Sequence, residues 1–122
     1  MRRALLTSSL SLLVAVLAVP VPAAAETWVL AGTYTYPDGE VEQMFVDTDS
    51  VTTNPDGSVY FRARNSHFPN SAPNEYVVRC DQDFSGEKIA LSSNYSVGGG
   101  WFSDSADLTS LIGQAVRFVC HK

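Results

Sequence analysis

Cys80 and Cys120 are the two thiols of the chain, and they pose the first chemical question. They stand far apart and form no Cys-x-x-Cys pair, which argues against redox catalysis. In an oxidising compartment two cysteines have a single intramolecular pairing open to them, a structural disulfide. Closing a loop of this length stabilises a fold by about 4 kcal/mol in the chain-entropy account. With both thiols paired, nucleophilic chemistry would fall to a serine activated by histidine. The two histidines are His67, in a proline-bearing stretch, and His121, next to last in the chain. No Gly-x-Ser-x-Gly segment marks a serine as nucleophile. Both histidines read as solvent-facing, and the expectation is a protein that is not an enzyme.

The carboxylates give one sharper pattern. Asp81-Gln82-Asp83-Phe84-Ser85-Gly86 repeats the opening of a calcium loop, with oxygen ligands at alternate positions and glycine sixth. The remainder departs from it. Lys88 stands where an apolar residue is usual, and Ser92 cannot supply the bidentate carboxylate. A turn explains the same residues, so no metal and no cofactor is expected. In Asp47-Thr48-Asp49-Ser50, two carboxylates lack a third ligand nearby. They are expected to accept backbone N–H groups where a strand turns. The best candidate for binding is Gly98-Gly99-Gly100-Trp101-Phe102. Trp101 and Phe102 after a glycine run would make anchors for a partner. The other placement has Trp101 folded inward as a cap on the sheet, which would keep the surface soluble.

These residues need elements to hold them. Residues 1–25 read as a secretory signal: Arg2 and Arg3, an apolar run from Leu10 to Val19, then Pro20, Pro22 and Ala23-Ala24-Ala25. The run is too short for a membrane-spanning helix, which takes about 20 residues. Cleavage is expected after Ala25, with Ala23 as the second choice. Of 122 residues, 97 then remain as one domain, residues 26–122, with 6 basic side chains against 13 acidic ones, a formal −7. Such a charge disfavours nucleic acid and anionic headgroups as partners, and nothing after the signal would span a membrane.

Most of the domain carries strand patterning. Thr27 to Tyr36 is β-branched and aromatic, and Tyr34, Tyr36, Tyr60, Tyr76 and Tyr95 are expected to sit on strands with rings inside and hydroxyls near water. Tyr36-Pro37-Asp38-Gly39-Glu40 is a turn, and Val41 to Asp47 is the returning strand. Asn54-Pro55-Asp56-Gly57 is a second turn. From Ser58 to Asn65, Val59, Phe61 and Ala63 alternate with Tyr60, Arg62 and Arg64. A loop is expected over Ser66 to Glu75, then strands over Tyr76 to Asp81 and Lys88 to Val97. Leu108, Leu111, Ile112, Ala115, Val116 and Val119 recur at three- and four-residue steps, which predicts a helix capped by Ser105 or Asp107. Val116 to Cys120 also suits a strand, and Gly113 is expected to weaken the helix by about 1 kcal/mol. The fold class is α+β: a single antiparallel sheet of about five strands with one C-terminal helix packed on it.

From Trp28 onward the chain resembles the surface-adhesin protein E family of bacterial exported proteins. The resemblance rests on five features: Trp28 opening the domain, Phe45-Val46-Asp47-Thr48-Asp49-Ser50-Val51, the Gly57 turn with Val59 to Arg64, the strand Tyr76-Val77-Val78-Arg79-Cys80-Asp81, and Ile89 to Tyr95 followed by a helix-like tail ending in Val119-Cys120. It covers nearly all of the domain. It implies an antiparallel sheet with a helix and a place at the bacterial cell envelope. It also implies binding of host matrix or plasma proteins such as vitronectin, laminin and plasminogen. No motif for those contacts can be matched here, so no binding residue is carried over. The chain departs from the founding member in having no lipid-attachment cysteine after the signal.

The expectation is thus an exported, non-enzymatic envelope protein, in the periplasm, at the outer surface or secreted. Its partner would be a host protein or an envelope component, and free sheet edges would allow a dimer. The alternative is a structural or assembly-linked periplasmic protein without a host ligand.

Overall fold

A computed structural model describes residues 26–94 and 100–121. The expected signal, residues 1–25, lies outside the described residues, as do Tyr95 to Gly99. Six strands form one sheet: β1 (Trp28–Thr35), β2 (Val41–Thr53), β3 (Ser58–Asn65), β4 (Asn74–Arg79), β5 (Lys88–Ser93) and β6 (Phe102–Asp107). Each pairs antiparallel with the next, giving the order β1-β2-β3-β4-β5-β6. One helix, α1 (Leu111–Cys120), follows. The class is the expected α+β, with a sixth strand added.

The turns follow their residue chemistry. Gly39 and Gly57 take φ of 93° and 90°, a conformation costly for any residue with a Cβ. The first closes the β1–β2 hairpin through Tyr36 N–H to Glu40 O and Gly39 N–H to Tyr36 O. The second closes β2–β3 through Gly57 N–H to Asn54 O.

Strand alternation gives the sheet two faces. Val46, Phe61, Ala63, Val78 and Ile89 turn toward the helix and are almost fully buried. Ala115, Val116 and Val119 meet them from α1. Burying one such large side chain contributes roughly 1.5–3 kcal/mol.

Four expectations are corrected. The β2 strand does not end at Asp47. It runs on to Thr53 through a register shift between Asp47 and Thr52. The β4 strand begins at Asn74 and stops at Arg79, so Cys80 lies one residue past it. Phe102 to Asp107 is a strand at the sheet edge. The helix therefore starts at Leu111, with Ser110 as its cap: Ser110 Oγ accepts from Gly113 N–H at 3.1 Å. Asp107 instead holds the turn before the helix, accepting from Thr109 N–H at 2.8 Å and Thr109 Oγ at 2.7 Å.

Gly113 is not a weakness. A Cβ there would lie 2.7 Å from Leu108 Cα and closer still to the Asp107 carbonyl. The missing side chain is what lets the first helical turn fold back over the end of β6. The helix is anchored at two further points. Gln114 donates Nε2–H to Thr33 O at 3.0 Å and accepts Thr33 N–H at Oε1 at 2.9 Å. In effect it offers the β1 edge the two bonds a neighbouring strand would offer. At the other end, Cys120 is bonded to Cys80, as expected, so the helix terminus is tied to the end of β4.

Candidate functional site

The helix has ten residues, about 15 Å, and packs most closely on β1 and β2. Beside its first turn, part of the helix-side face of the sheet is left open as a cleft of about 580 Å³. This lies in the usual size range of ligand pockets, about 300–1,000 Å³.

Met44, Tyr76, Leu91 and Ala106 form an apolar floor. The rim is aromatic. Tyr34 and Tyr36 come from the β1–β2 hairpin and Phe68 from the β3–β4 connection, and they are 46%, 36% and 62% exposed. Tyr34 and Tyr36 meet edge to face, with centroids 4.8 Å apart. Tyr36 stacks on His67 at 6.3 Å. The rim therefore holds itself in place, and its ring faces stay accessible.

Glu42 and Asp104 are the carboxylates on the cleft side of the sheet; Asp107 borders the cleft, but strand alternation sends its side chain to the other face, beside Lys88. No lysine or arginine lines the cleft among the described residues. Glu42 lies opposite Tyr34 in the β1–β2 register. It accepts hydrogen bonds from the Tyr36 hydroxyl and from Asn65 Nδ2, both at 2.5 Å. The Tyr36 bond first, and the Asn65 bond after it, hold the Glu42 carboxyl below the usual carboxylate range. The same bond raises the Tyr36 phenol. The side-chain and backbone bonds from Thr109 lower Asp107, and Lys88, its partner across β5–β6, adds to this. Ser93, on the cleft wall, is 1% exposed, and its Oγ has no hydrogen-bond partner among the described residues. A buried hydroxyl left unpaired costs about 1–3 kcal/mol.

The opposite face of the sheet is equally polar but arranged differently. Asp47, 1% exposed, accepts from Arg62 at 2.7 Å, Thr27 N–H at 3.0 Å and Asp49 N–H at 3.1 Å. Burial works against its charge, but those three bonds outweigh it and lower the Asp47 carboxyl. The expected acceptance of backbone N–H groups thus holds for Asp47. Arg62 also reaches Glu26 at 2.6 Å. The guanidinium of Arg64 lies 4.7 Å from the Trp28 ring centre, a cation–π contact. Tyr60 donates to Glu75 at 2.6 Å, and burial followed by that bond pushes its phenol to about 12.

The residues singled out from sequence fall in different places. Trp101 and Phe102 are 51% and 36% exposed, so Trp101 does not fold inward. Phe102 begins β6 opposite Ser93, at the margin of the cleft. His67 is 3.4 Å from Glu40 through Nε2, and His121 packs beside Phe84 at 5.8 Å. Asp83 accepts from Ser85 N–H and Oγ at 2.8 and 2.7 Å, while Gln82 bonds Ala90 N–H and O, so this segment is a turn clasped to β5. Tyr34 and Tyr36 do not place their rings inside, contrary to expectation. They carry the rim together with Phe68, which sequence reading had left in an unassigned loop. The available signal was the pair of tyrosines leading into Pro37-Asp38-Gly39.

Comparison with protein-family models, with curated proteins and with solved structures yields no match. The fold and the cleft define the class by themselves: an α+β domain, a six-stranded antiparallel meander closed by one stapled helix, with an acidic, aromatic-rimmed cleft beside that helix. No helix among the described residues is long and apolar enough to cross a membrane.

Proposed function

We propose that this chain is an exported, non-enzymatic binding domain of the cell envelope, and that it holds a protein partner at the cleft beside α1. The observation that carries this reading is the combination of an exposed aromatic rim with the buried Ser93 hydroxyl, unpaired among the described residues, in the same concavity. Exposed aromatics held rigid by one another bury much area on contact at little entropic cost. Export is supported by the disulfide, which persists in oxidising compartments, and by the signal-like residues 1–25. The resemblance to the surface-adhesin protein E family supports an adhesive role toward host matrix or plasma proteins.

The test is binding of the purified exported protein, by surface plasmon resonance, to vitronectin, laminin, plasminogen and a fractionated envelope extract. A Tyr34→Ala/Phe68→Ala double variant should weaken binding at least tenfold, while Ser103→Ala, on the far face, should not. Equal binding by both variants removes the cleft from the function. A partner found only in the envelope fraction favours the structural or assembly role over adhesion.

A further inference from the structure

We infer that Gln114 and Asp104 are edge guards: they occupy backbone groups on the two open edges of the sheet and so keep a second copy of this chain from adding its own strand there.

The sheet is open, with β1 at one edge and β6 at the other. An edge strand offers a row of backbone donors and acceptors to any identical strand that meets it. β1 is the more vulnerable of the two. Trp28–Thr35 holds no charged residue and no proline, and most of its residues are β-branched or aromatic. Leu30 and Tyr34 are each 46% exposed. A charge or a proline on the strand is the common deterrent to edge pairing, and β1 has neither.

Gln114 supplies the deterrent from outside the strand. Thr33 N–H and O both bond to its side chain, at 2.9 and 3.0 Å. These two groups therefore point away from β2, and they are the pair that an added strand would take first. Gly32 makes the clasp possible. Its φ is not positive, so the backbone does not demand glycine there. A Cβ at this position would stand 2.9 Å from Gln114 Cβ and 3.2 Å from Leu111 O. The bare position lets α1 close on the edge.

The other edge is guarded from within. Ser105 lies opposite Ala90 in the β5–β6 register. Ala90 N–H and O bond to Gln82, on the side away from β6. In an antiparallel ladder the groups of both residues in such a pair point outward, so Ser105 turns its backbone to the open edge. Asp104 Oδ1 accepts that Ser105 N–H at 2.8 Å. Two residues on, Asp107 O points the same way and accepts Ser110 N–H at 3.0 Å. Asp104 and Asp107 also place negative charge along the strand, which an identical strand would meet with its own.

The experiment uses the purified protein, with sedimentation equilibrium and amide hydrogen exchange followed from micromolar to millimolar concentration. Gln114→Met keeps the stem and loses both bonds. It should stay folded by circular dichroism and self-associate about tenfold more tightly than wild type once the edge is bare. Its Thr33 amide should exchange fast when dilute and slowly when concentrated, a dependence that looser helix packing alone would not produce. Gly32→Ala displaces Gln114 without altering it. It should act in the same direction, and it decides the matter if Gln114→Met does not fold. Asp104→Ala should strengthen the association of Gln114→Met further, and Asp104→Asn, which keeps an oxygen acceptor, should do so less. Folded variants that associate no more tightly than wild type overturn the inference. So does association whose new protection falls outside β1 and β6, and so does a wild-type protein that already pairs through these edges.

Discussion

The two faces of this sheet carry similar side chains and use them in opposite ways. Across β1 to β3, the outer face pairs Asp47 with Arg62, Arg62 with Glu26 and Trp28 with Arg64. Most of its charged groups are partnered by the fold itself, although Arg64 Nε is buried without a hydrogen-bond partner among the described residues. The helix-side cleft also has carboxylates and rings, but Ser93 Oγ is unpaired there among the described residues and the rim is exposed. Polar and aromatic content alone therefore does not mark a binding surface. What sets the cleft apart from the outer face is its exposed aromatic rim. Changes on the helix side should alter the shape of the cleft, changes on the outer face should alter stability, and changes at the rim should alter binding alone.

The largest effect is expected at the staple. Cys80→Ser or Cys120→Ser should cost about 2–4 kcal/mol, because a ten-residue helix is marginal without tertiary support. Hydrogen exchange should rise first over Leu111 to Cys120, with β2 and β3 still protected. Equal protection of α1 in oxidised and reduced protein would show that Gln114 and the apolar face suffice.

Next comes Gly113→Ala. By helix propensity the change is favourable by about 1 kcal/mol. The close approach of Leu108 and Asp107 reverses the sign, and a loss of about 1–3 kcal/mol is expected from overpacking. Urea denaturation decides between the two signs. A more stable variant would mean that the β6–α1 junction yields easily, and the cleft wall with it.

On the outer face, Asp47→Asn should cost about 2 kcal/mol near neutral pH, since it weakens a buried charge-assisted bond. The folded carboxyl is depressed, so the folded state binds fewer protons than the unfolded one in the acid range. Its contribution is present above the unfolded value of about 3.9 and is lost as pH falls through the folded value. The stability gap between wild type and variant should thus shrink from pH 7 to pH 3. A gap that is constant with pH would show that Asp47 acts through packing alone.

The smallest stability effect is expected at the rim. Phe68→Ala removes a ring that is 62% exposed and should change stability by less than about 0.5 kcal/mol. Thermal melting checks this. A loss of several degrees would place Phe68 in the core's support and erase the contrast between the faces.

Much of the fold was legible from local chemistry. The turns at Gly39 and Gly57 require positive φ, and Val59, Phe61 and Ala63 announce a half-buried strand. The β6 strand was hidden because it is an edge: in Phe102-Ser103-Asp104-Ser105-Ala106-Asp107 only Ala106 is buried, so no apolar alternation appears. Gly113 was misread because propensity describes an isolated helix, whereas its neighbour is a backbone five residues earlier. The site was less legible still. Phe102 was found at the margin through composition, but Tyr34, Glu42, Phe68 and Ser93 converge only through the pairing of the strands and the connection after β3. No short sequence window contains that convergence.

The disulfide has one more consequence, in the currency of proteolysis. Cys80 and Cys120 enclose β5, β6 and α1 in a single covalent ring. A protease that cuts the chain anywhere between these two positions opens the ring without releasing a fragment. The nicked protein keeps its mass on a non-reducing gel and separates into two pieces only when reduced. A domain of this design can pass through protease-rich surroundings as a two-chain molecule, still carrying the half of the cleft that lies within the ring.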